Sequence, residues 1–422
     1  MTRASPADAE RLNTDFHDVI DSPVSVPTYD NIASIPSPTG ILMPPRNTII
    51  VVSSILALLH AYIGWRVLPD LPLDSSIRIA GILFLVASFA LVPAGLLSRA
   101  VKRQPLSDRL AWAGLLALGM FSSLLVLTIL RDVILLAAFV PGAYSTALAN
   151  WTAAAVPALA GLVTVIGLIN ARRVAKVVDV DVPISNLPAA LHGFTIAQIS
   201  DIHIGPTIKR GYLDAIVNVV NGLEADLIAV TGDLVDGSVD RLASHTAPLG
   251  NLIAKHGAYF VTGNHEYYSN AHAWIAEVRR LGLTVLMNQH VLLTHQGVSL
   301  LVAGITDYTA HLFDASHRSD PHAALAGAPG HVAVKILLAH QPRSANAAAD
   351  AGFDLQLSGH THGGQFFPWN FFVPMQQPYT AGLHRLRRLW VYTSRGTGYW
   401  GPPKRFGAPS EITRLRLVPT SG

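Results

Sequence analysis

The sequence predicts an α/β domain preceded by about four membrane-spanning helices, and three observations predict it. Half of the 422 residues are apolar and only 14% are charged, against about a quarter in ordinary soluble domains. Four segments each offer about 20 mostly apolar residues, enough to cross a bilayer. Beyond residue 176, short apolar runs alternate with stretches of helical periodicity, as in layered α/β domains. The net charge of +3 gives no case for a nucleic-acid partner. The absence of cysteine excludes disulfides and thiolate metal sites.

Residues 1–46 are rich in proline and acidic side chains, lack sustained periodicity, and are expected to form a disordered tail. Residues 47–170 form the membrane region, with spans at Thr48–Leu68, Ile79–Leu97, Leu110–Leu130 and Trp151–Ile169. Pro93 and Pro157 fall inside spans, where proline is better tolerated than in soluble helices. Arg131-Asp132 interrupts the third span, so Val133–Val140 reads as an interfacial or re-entrant piece. Arg99, Lys102, Arg103 and Arg109 fill the connection between spans two and three, and Arg172, Arg173 and Lys176 follow span four. The loop holding Asp70 and Asp74 has no basic residue. The positive-inside rule then places both termini and the large C-terminal part in the cytoplasm of a multi-pass inner-membrane protein.

Residues 171–189 connect to the membrane and hold a first strand, since Val178, Val180, Val182 and Ile184 alternate. In the remaining domain, 190–422, the runs Phe194–Ser200, Leu227–Thr231, Ala258–Val261, Leu300–Gly304, Val334–Ala339, Leu355–Ser358 and Leu389–Thr393 read as strands. Ile208, Tyr212, Leu213, Ile216, Val217 and Val220 recur at helical spacing, as do Trp274, Val278 and Leu281.

Five polar motifs follow these strands directly: Asp201-Ile202-His203, Gly232-Asp233, Gly263-Asn264-His265-Glu266, a lone His340, and Gly359-His360-Thr361-His362. Strand C-terminal edges are where α/β proteins gather functional loops. The donors are carboxylates, one amide and imidazoles, a mixture suited to hard or borderline divalent ions acting on phosphorus. Each motif alone is common, and Gly-Asn-His-Glu also reads as a turn and helix cap. Their order and their shared placement carry the metal reading.

Together these phrases closely resemble the calcineurin-like metallophosphoesterase superfamily over residues 190–415, in particular its membrane-associated bacterial branch of phosphodiesterase-like and lipid-precursor pyrophosphatase-like proteins. The resemblance implies a four-layer fold, two mixed sheets face to face with helices outside. It implies that Asp201, His203, Asp233 and His362 hold one metal, and that Asp233, Asn264, His340 and His360 hold a second, with Asp233 bridging. It assigns His265 as the catalytic histidine. Two divalent ions (Mn, Fe, Zn, Ni or Co) would activate water against a phosphodiester or pyrophosphate bond.

The stretch after the last ligand holds Phe366, Phe367, Trp369, Phe371, Phe372 and Tyr379, then Trp390, Tyr399 and Trp400, interleaved with Arg385, Arg387, Arg388, Lys404 and Arg405. It reads either as a membrane-facing lip, with aromatics at headgroup level and basic residues on phosphates, or as core packing. Arg395, after a strand, reads either as a phosphate-binding residue or as a salt bridge, and Tyr267, beside the catalytic motif, as a substrate contact. The membrane anchor favours the bilayer as a partner and a lipid-linked phosphate as substrate, such as a UDP-diacylglucosamine-type lipid A precursor. A small phosphorylated substrate, a phosphoprotein phosphatase and a non-catalytic membrane scaffold are the alternatives.

Overall fold

The computed structural model describes residues 46–72 and 74–420; the tail expected over 1–46 lies outside them but for Arg46. Four helices come first: α1 (Arg46–Val67), α2 (Ser75–Leu96), α3 (Leu106–Phe139) and α4 (Thr146–Arg172). All four are long and apolar enough to cross a membrane. Leu58, Leu83, Leu136 and Trp151 are exposed on their outer faces, which suits a lipid solvent and not water. Small residues let the helices approach one another. A Cβ built on Gly95 would lie 2.6 Å from the Cα of Gly114, so only glycine permits this crossing.

The third helix differs from expectation. It runs unbroken for 34 residues, so Val133–Val140 is no separate re-entrant piece. The reason is charge pairing inside the bundle. Arg131 is buried, pairs with Asp70 and donates to Arg66 O at 2.7 Å. Asp132 accepts from Arg66 Nε at 2.9 Å and from Tyr62 OH at 2.7 Å. Paired charges are tolerated within a bundle, so the helix need not end at Arg131-Asp132.

The rest of the chain forms two six-stranded sheets. The first has the order β1-β12-β2-β3-β4-β5, with β1 (Lys176–Ile184), β2 (Thr195–Ile199), β3 (Leu227–Val230), β4 (Ala258–Phe260), β5 (Thr284–Val285) and β12 (Glu411–Pro419). The second has the order β10-β11-β9-β8-β7-β6, with β6 (Gln289–His295), β7 (Val298–Gly304), β8 (Val334–Leu338), β9 (Leu355–Ser358), β10 (Gly382–Leu386) and β11 (Leu389–Thr393). Both are mixed: β2 through β5 are parallel and β12 runs antiparallel to β2, while β11-β9-β8-β7 are parallel with antiparallel β10 and β6 at the edges.

Alternation along each strand explains the layering. Leu227 and Ala229 face Leu300, Val302, Ile336 and Leu357 between the sheets. Ile228 and Val230 face the opposite way, onto α5 (Arg210–Asn221), α6 (Val239–Thr246) and α8 (Ala271–Arg280). Leu301, Ala303 and Leu337 likewise face α9 (Ala345–Ala351) outside the second sheet. A short helix α7 (Asn264–Tyr268) lies between β4 and α8. The parallel strands β2, β3, β4, β8 and β9 deliver their C-terminal ends to one edge.

Arg131 gives a test of the membrane bundle. In detergent, Arg131→Leu is expected to lower stability by about 1–3 kcal/mol, because it removes the guanidinium that pairs with half-exposed Asp70 and donates to Arg66 O and Ala149 O. A melting curve equal to the parent's would show that the pairing carries no such weight.

Candidate metal centre

All five strand-end motifs meet at this edge. Asp201, His203 and His362 form one cluster and Asp233, His340 and His360 a second, with the ligand atoms of each within 4.8 Å of one another. In the first, His203 Nε2 and His362 Nε2 face each other at 3.0 Å, and His362 Nε2 lies 3.4 Å from Asp201 Oδ1. In the second, His340 Nε2 stands 3.1 Å from Asp233 Oδ2 and 3.2 Å from His360 Nδ1. Asp233 Oδ2 is also 3.9 Å from His203 Nε2, so one carboxylate oxygen looks into both clusters. Asn264 opens α7 between Gly263, packed on Asp233, and His265, whose N–H donates to Asp233 Oδ1 at 2.8 Å.

The backbone is strained to achieve this. Asp201, His203, Asp233, His360 and His362 all have positive φ, between 51° and 72°, a conformation that non-glycine residues rarely adopt and that clusters at functional sites. Two glycines make room: a Cβ on Gly359 would sit 2.1 Å from Asp201 Oδ2, and one on Gly263 would sit 2.3 Å from Asp233 Oδ1.

These residues fit divalent cations. The Asn264 amide oxygen is buried and accepts no hydrogen bond, which is costly for a polar atom lacking another partner. His340 Nδ1 donates to Thr231 O at 2.8 Å, which turns its Nε2 toward the site, as outer partners of metal-binding histidines do. Burial lowers this imidazole but Asp233 outweighs it and raises it well above its ordinary value, so a cation there would take the place of a proton. Burial and then His340 hold the His360 imidazole down to about 3. Burial and then Arg405 hold His362 well below the usual range. Both rings are therefore neutral. Burial would raise Asp233, but His340 and His265 outweigh it and keep the carboxyl well below its ordinary value. Arg405 Nη2 donates to His362 Nδ1 at 3.0 Å. A neutral His362 ring then carries its proton on Nε2, which it would give up to hold a cation there.

His265 borders the clusters. Its Nε2 lies 4.0 Å from Asp233 Oδ2 and its Nδ1 lies 2.5 Å from Asp236 Oδ1. Burial lowers its pKa, but Asp233 and Asp236 outweigh this and raise it to about 9. The ring is therefore protonated at neutral pH.

A model of the calcineurin-like phosphoesterase family matches residues 194–364. A metallophosphoesterase of Bacillus subtilis (strain 168) is 31% identical over 255 residues, covering 56% of this chain and 83% of the relative. The chain belongs to the calcineurin-like metallophosphoesterase family. A "transmembrane protein with metallophosphoesterase domain" of Bos taurus is 41% identical over 277 residues, 62% of each chain. A metallophosphoesterase of Helicobacter pylori (strain ATCC 700392 / 26695) is 40% identical over 226 residues, 53% of this chain and 60% of its own. This metallophosphoesterase thus spans less than two thirds of the length of those two relatives.

Several residues depart from the sequence reading. Tyr267 is buried and its hydroxyl faces His317 Nδ1 at 3.0 Å; the exposed Tyr268 is the one against His265, ring centroids 5.2 Å apart. The Arg395 guanidinium is taken by Glu411 at 2.7 Å, which is the salt-bridge alternative. Phe366, Tyr379, Trp390 and Tyr399 pack inside, whereas Phe367, Trp369, Phe371, Phe372 and Trp400 are exposed. Lys404 and Arg405 are buried and so do not lie among phosphates at the surface.

Three participants escaped the sequence reading. Asp236 also stands 3.3 Å from His203 Nδ1, so it adjoins two histidines of the site. Its signal was the spacing, three residues after Asp233. Glu266 is fully buried and accepts from Gly263 N at 2.7 Å, Asp233 N at 3.0 Å and Leu234 N at 2.8 Å. Its signal was the capping position three residues after Gly263. Burial and Asp233 push its carboxyl up to about 8, against the pull of those N–H groups. Arg99, in the short turn Leu97–Ala100 after α2, reaches within 3.6 Å of Asp236 Oδ1, and no local pattern announces it. Glu266→Ala leaves three buried N–H groups unpaired. At about 1–3 kcal/mol each, metal-free protein should lose at least about 3 kcal/mol in thermal or denaturant unfolding, and a variant as stable as the parent would contradict this role.

Proposed function

We propose that this metallophosphoesterase is a membrane-anchored two-metal hydrolase that cleaves a phosphodiester or pyrophosphate bond in a lipid-linked substrate. Asp201, His203, Asp233 and His362 would hold one ion and Asp233, Asn264, His340 and His360 the other, both drawn from Mn, Fe, Zn, Ni or Co. Bound there, divalent ions supply Lewis-acid chemistry, lowering the pKa of water and neutralising phosphoryl oxygens.

The chain's own residues do the rest. Asp233 offers one carboxylate oxygen to both clusters and fixes their separation. Asp236 accepts from His265 Nδ1 and so aims Nε2 toward the site. The protonated His265 delivers its proton to the leaving oxygen, general-acid work suited to a positioned imidazole. Tyr268 and Trp400 wall that proton donor, with ring centroids 5.2 and 5.7 Å from His265.

The observation that carries the lipid reading is where this wall leads. The loop beyond Gly364 exposes Phe367, Phe371, Phe372 and Met375. Within it Trp369 Nε1 donates to Ser122 Oγ on α3 at 3.0 Å. An aromatic strip thus runs from the metal clusters to a membrane helix, the chemistry of a headgroup-level surface. Arg99, Lys102, Arg103, Arg109, Arg172, Arg173 and Lys176 lie at the ends or connections of the helices next to this domain, which supports a cytoplasmic site.

Protein in lipid nanodiscs should hydrolyse lipid-linked pyrophosphates or diesters in preference to soluble model diesters and phosphopeptides. Fast turnover of soluble diesters with none of the lipid-linked forms would sink the lipid reading. Phosphopeptide turnover alone would favour a protein phosphatase. His265→Ala is expected to keep both metals and lose about 10²–10⁴-fold in turnover. Activity should fall as pH rises through the His265 pKa. Asp236→Asn removes an anion that raises this pKa, so the alkaline limb should move to lower pH; a limb that stays put would remove His265 from the acid role.

A further inference from the structure

We infer that the membrane helices are a working part of the metal centre, and that Lys404 and Arg405 are positioning residues transmitting the placement of α4 to His362. The inference rests on the metal-dependent reading above.

These two adjacent residues are held from opposite sides. The Lys404 ammonium enters the crevice between α3 and α4, where it donates to Gly119 O at 3.0 Å, to Thr164 Oγ1 at 3.2 Å and to Ser123 Oγ. Ser123 and Thr164 both lie roughly 25 Å along their helices from the 140–145 turn, close to the boundary of a ~30 Å hydrocarbon core. Arg405 N–H donates to Gly167 O at 2.9 Å, and Asn170 Nδ2 donates back to Arg405 O at 3.2 Å. The backbone of Arg405 is thereby latched to α4 on both of its polar groups.

The Arg405 side chain turns away from the membrane and braces the metal site. Nη1 donates to His362 O at 2.8 Å and to Arg395 O at 2.8 Å, Nε donates to Gly398 O at 3.1 Å, and Nη2 donates to His362 Nδ1. One guanidinium thus fixes both the backbone and the ring of a candidate ligand. Both cations are buried, and among the described residues neither has a carboxylate within ion-pair distance. Burying such charges is expensive, so the arrangement is not one that packing alone would favour. Because the two residues are consecutive, a small shift of α4 against the sheets must move Arg405 and, with it, His362. Ligand constellations tolerate about 0.5 Å.

Gly167 is the point of contact. A Cβ there would lie 2.6 Å from Lys404 Cγ and 3.5 Å from Arg405 N, whereas a Cβ on Gly161, in the same helix, would meet nothing within 4 Å. The test uses the full chain in nanodiscs, stripped of metal and titrated with Mn and with Zn, alongside thermal melting of the metal-free protein. The parent should bind two ions. Gly167→Ala should bind one of them about 10–100-fold more weakly, the range seen when outer-shell partners of ligands are lost, with unchanged metal-free melting. Gly161→Ala should match the parent. Lys404→Met keeps length and apolar fit in the crevice but loses the three hydrogen bonds, and should weaken the same ion even if Gly167→Ala fails to fold. Parent-like affinities in Gly167→Ala and Lys404→Met overturn the coupling alone. A parent that binds no metal overturns the functional reading and this inference with it.

Discussion

The arrangement depends most on one carboxylate, Asp233. Its Oδ2 faces His340 at 3.1 Å and His203 at 3.9 Å, so two clusters of donors share an edge. Its Oδ1 holds the backbone of His265, and its own N–H is held by Glu266. A buried anion in this position is costly unless cationic or hydrogen-bonding groups surround it. The imidazoles, the left-handed turns and the close glycine contacts all serve to bring such groups to it. The strain in five loop residues is stabilised by the two sheets beneath, whose fully buried aliphatic layers leave little freedom.

The helical region touches the metal-site domain at several points. The strip from Phe366 to Arg405 leaves the metal clusters, exposes aromatics, touches α3 through Trp369 and returns to His362 through Arg405. Arg99 completes the contact from the other side, next to Asp236. The apolar helices and the metal donors are therefore linked by direct hydrogen bonds.

Much of this was legible in the sequence because the signals are local. Each candidate ligand follows an apolar run within a few residues, so strand and ligand announce one another. The strands β1, β8, β9 and β11 begin where their apolar runs do. The elements that were missed carry mixed faces. In β12, Leu415 and Leu417 point inward while Arg414 and Arg416 pair with Asp179 and Asp181 of β1, and the charges mask the alternation. The edge strand β10 is only half-buried and has little pattern to read. Asp236 and Glu266 were visible as spacings, but their value appears only once two loops meet. Lys404 and Arg405 were not legible at all, since their partners on α3 and α4 lie more than 200 residues away in the chain. Long-range docking has no local signature, and the continuous helix past Arg131-Asp132 was missed for the same reason.

Anomalous scattering from crystals of the full chain loaded with Mn tests the central claim most directly, because it reads ion positions without reference to any substrate. Two peaks about 3.5–4 Å apart, flanking the Asp233 carboxylate, with His362 on one and His340 and His360 on the other, are the predicted result. A single ion, or ions bound away from Asp233, would contradict the account.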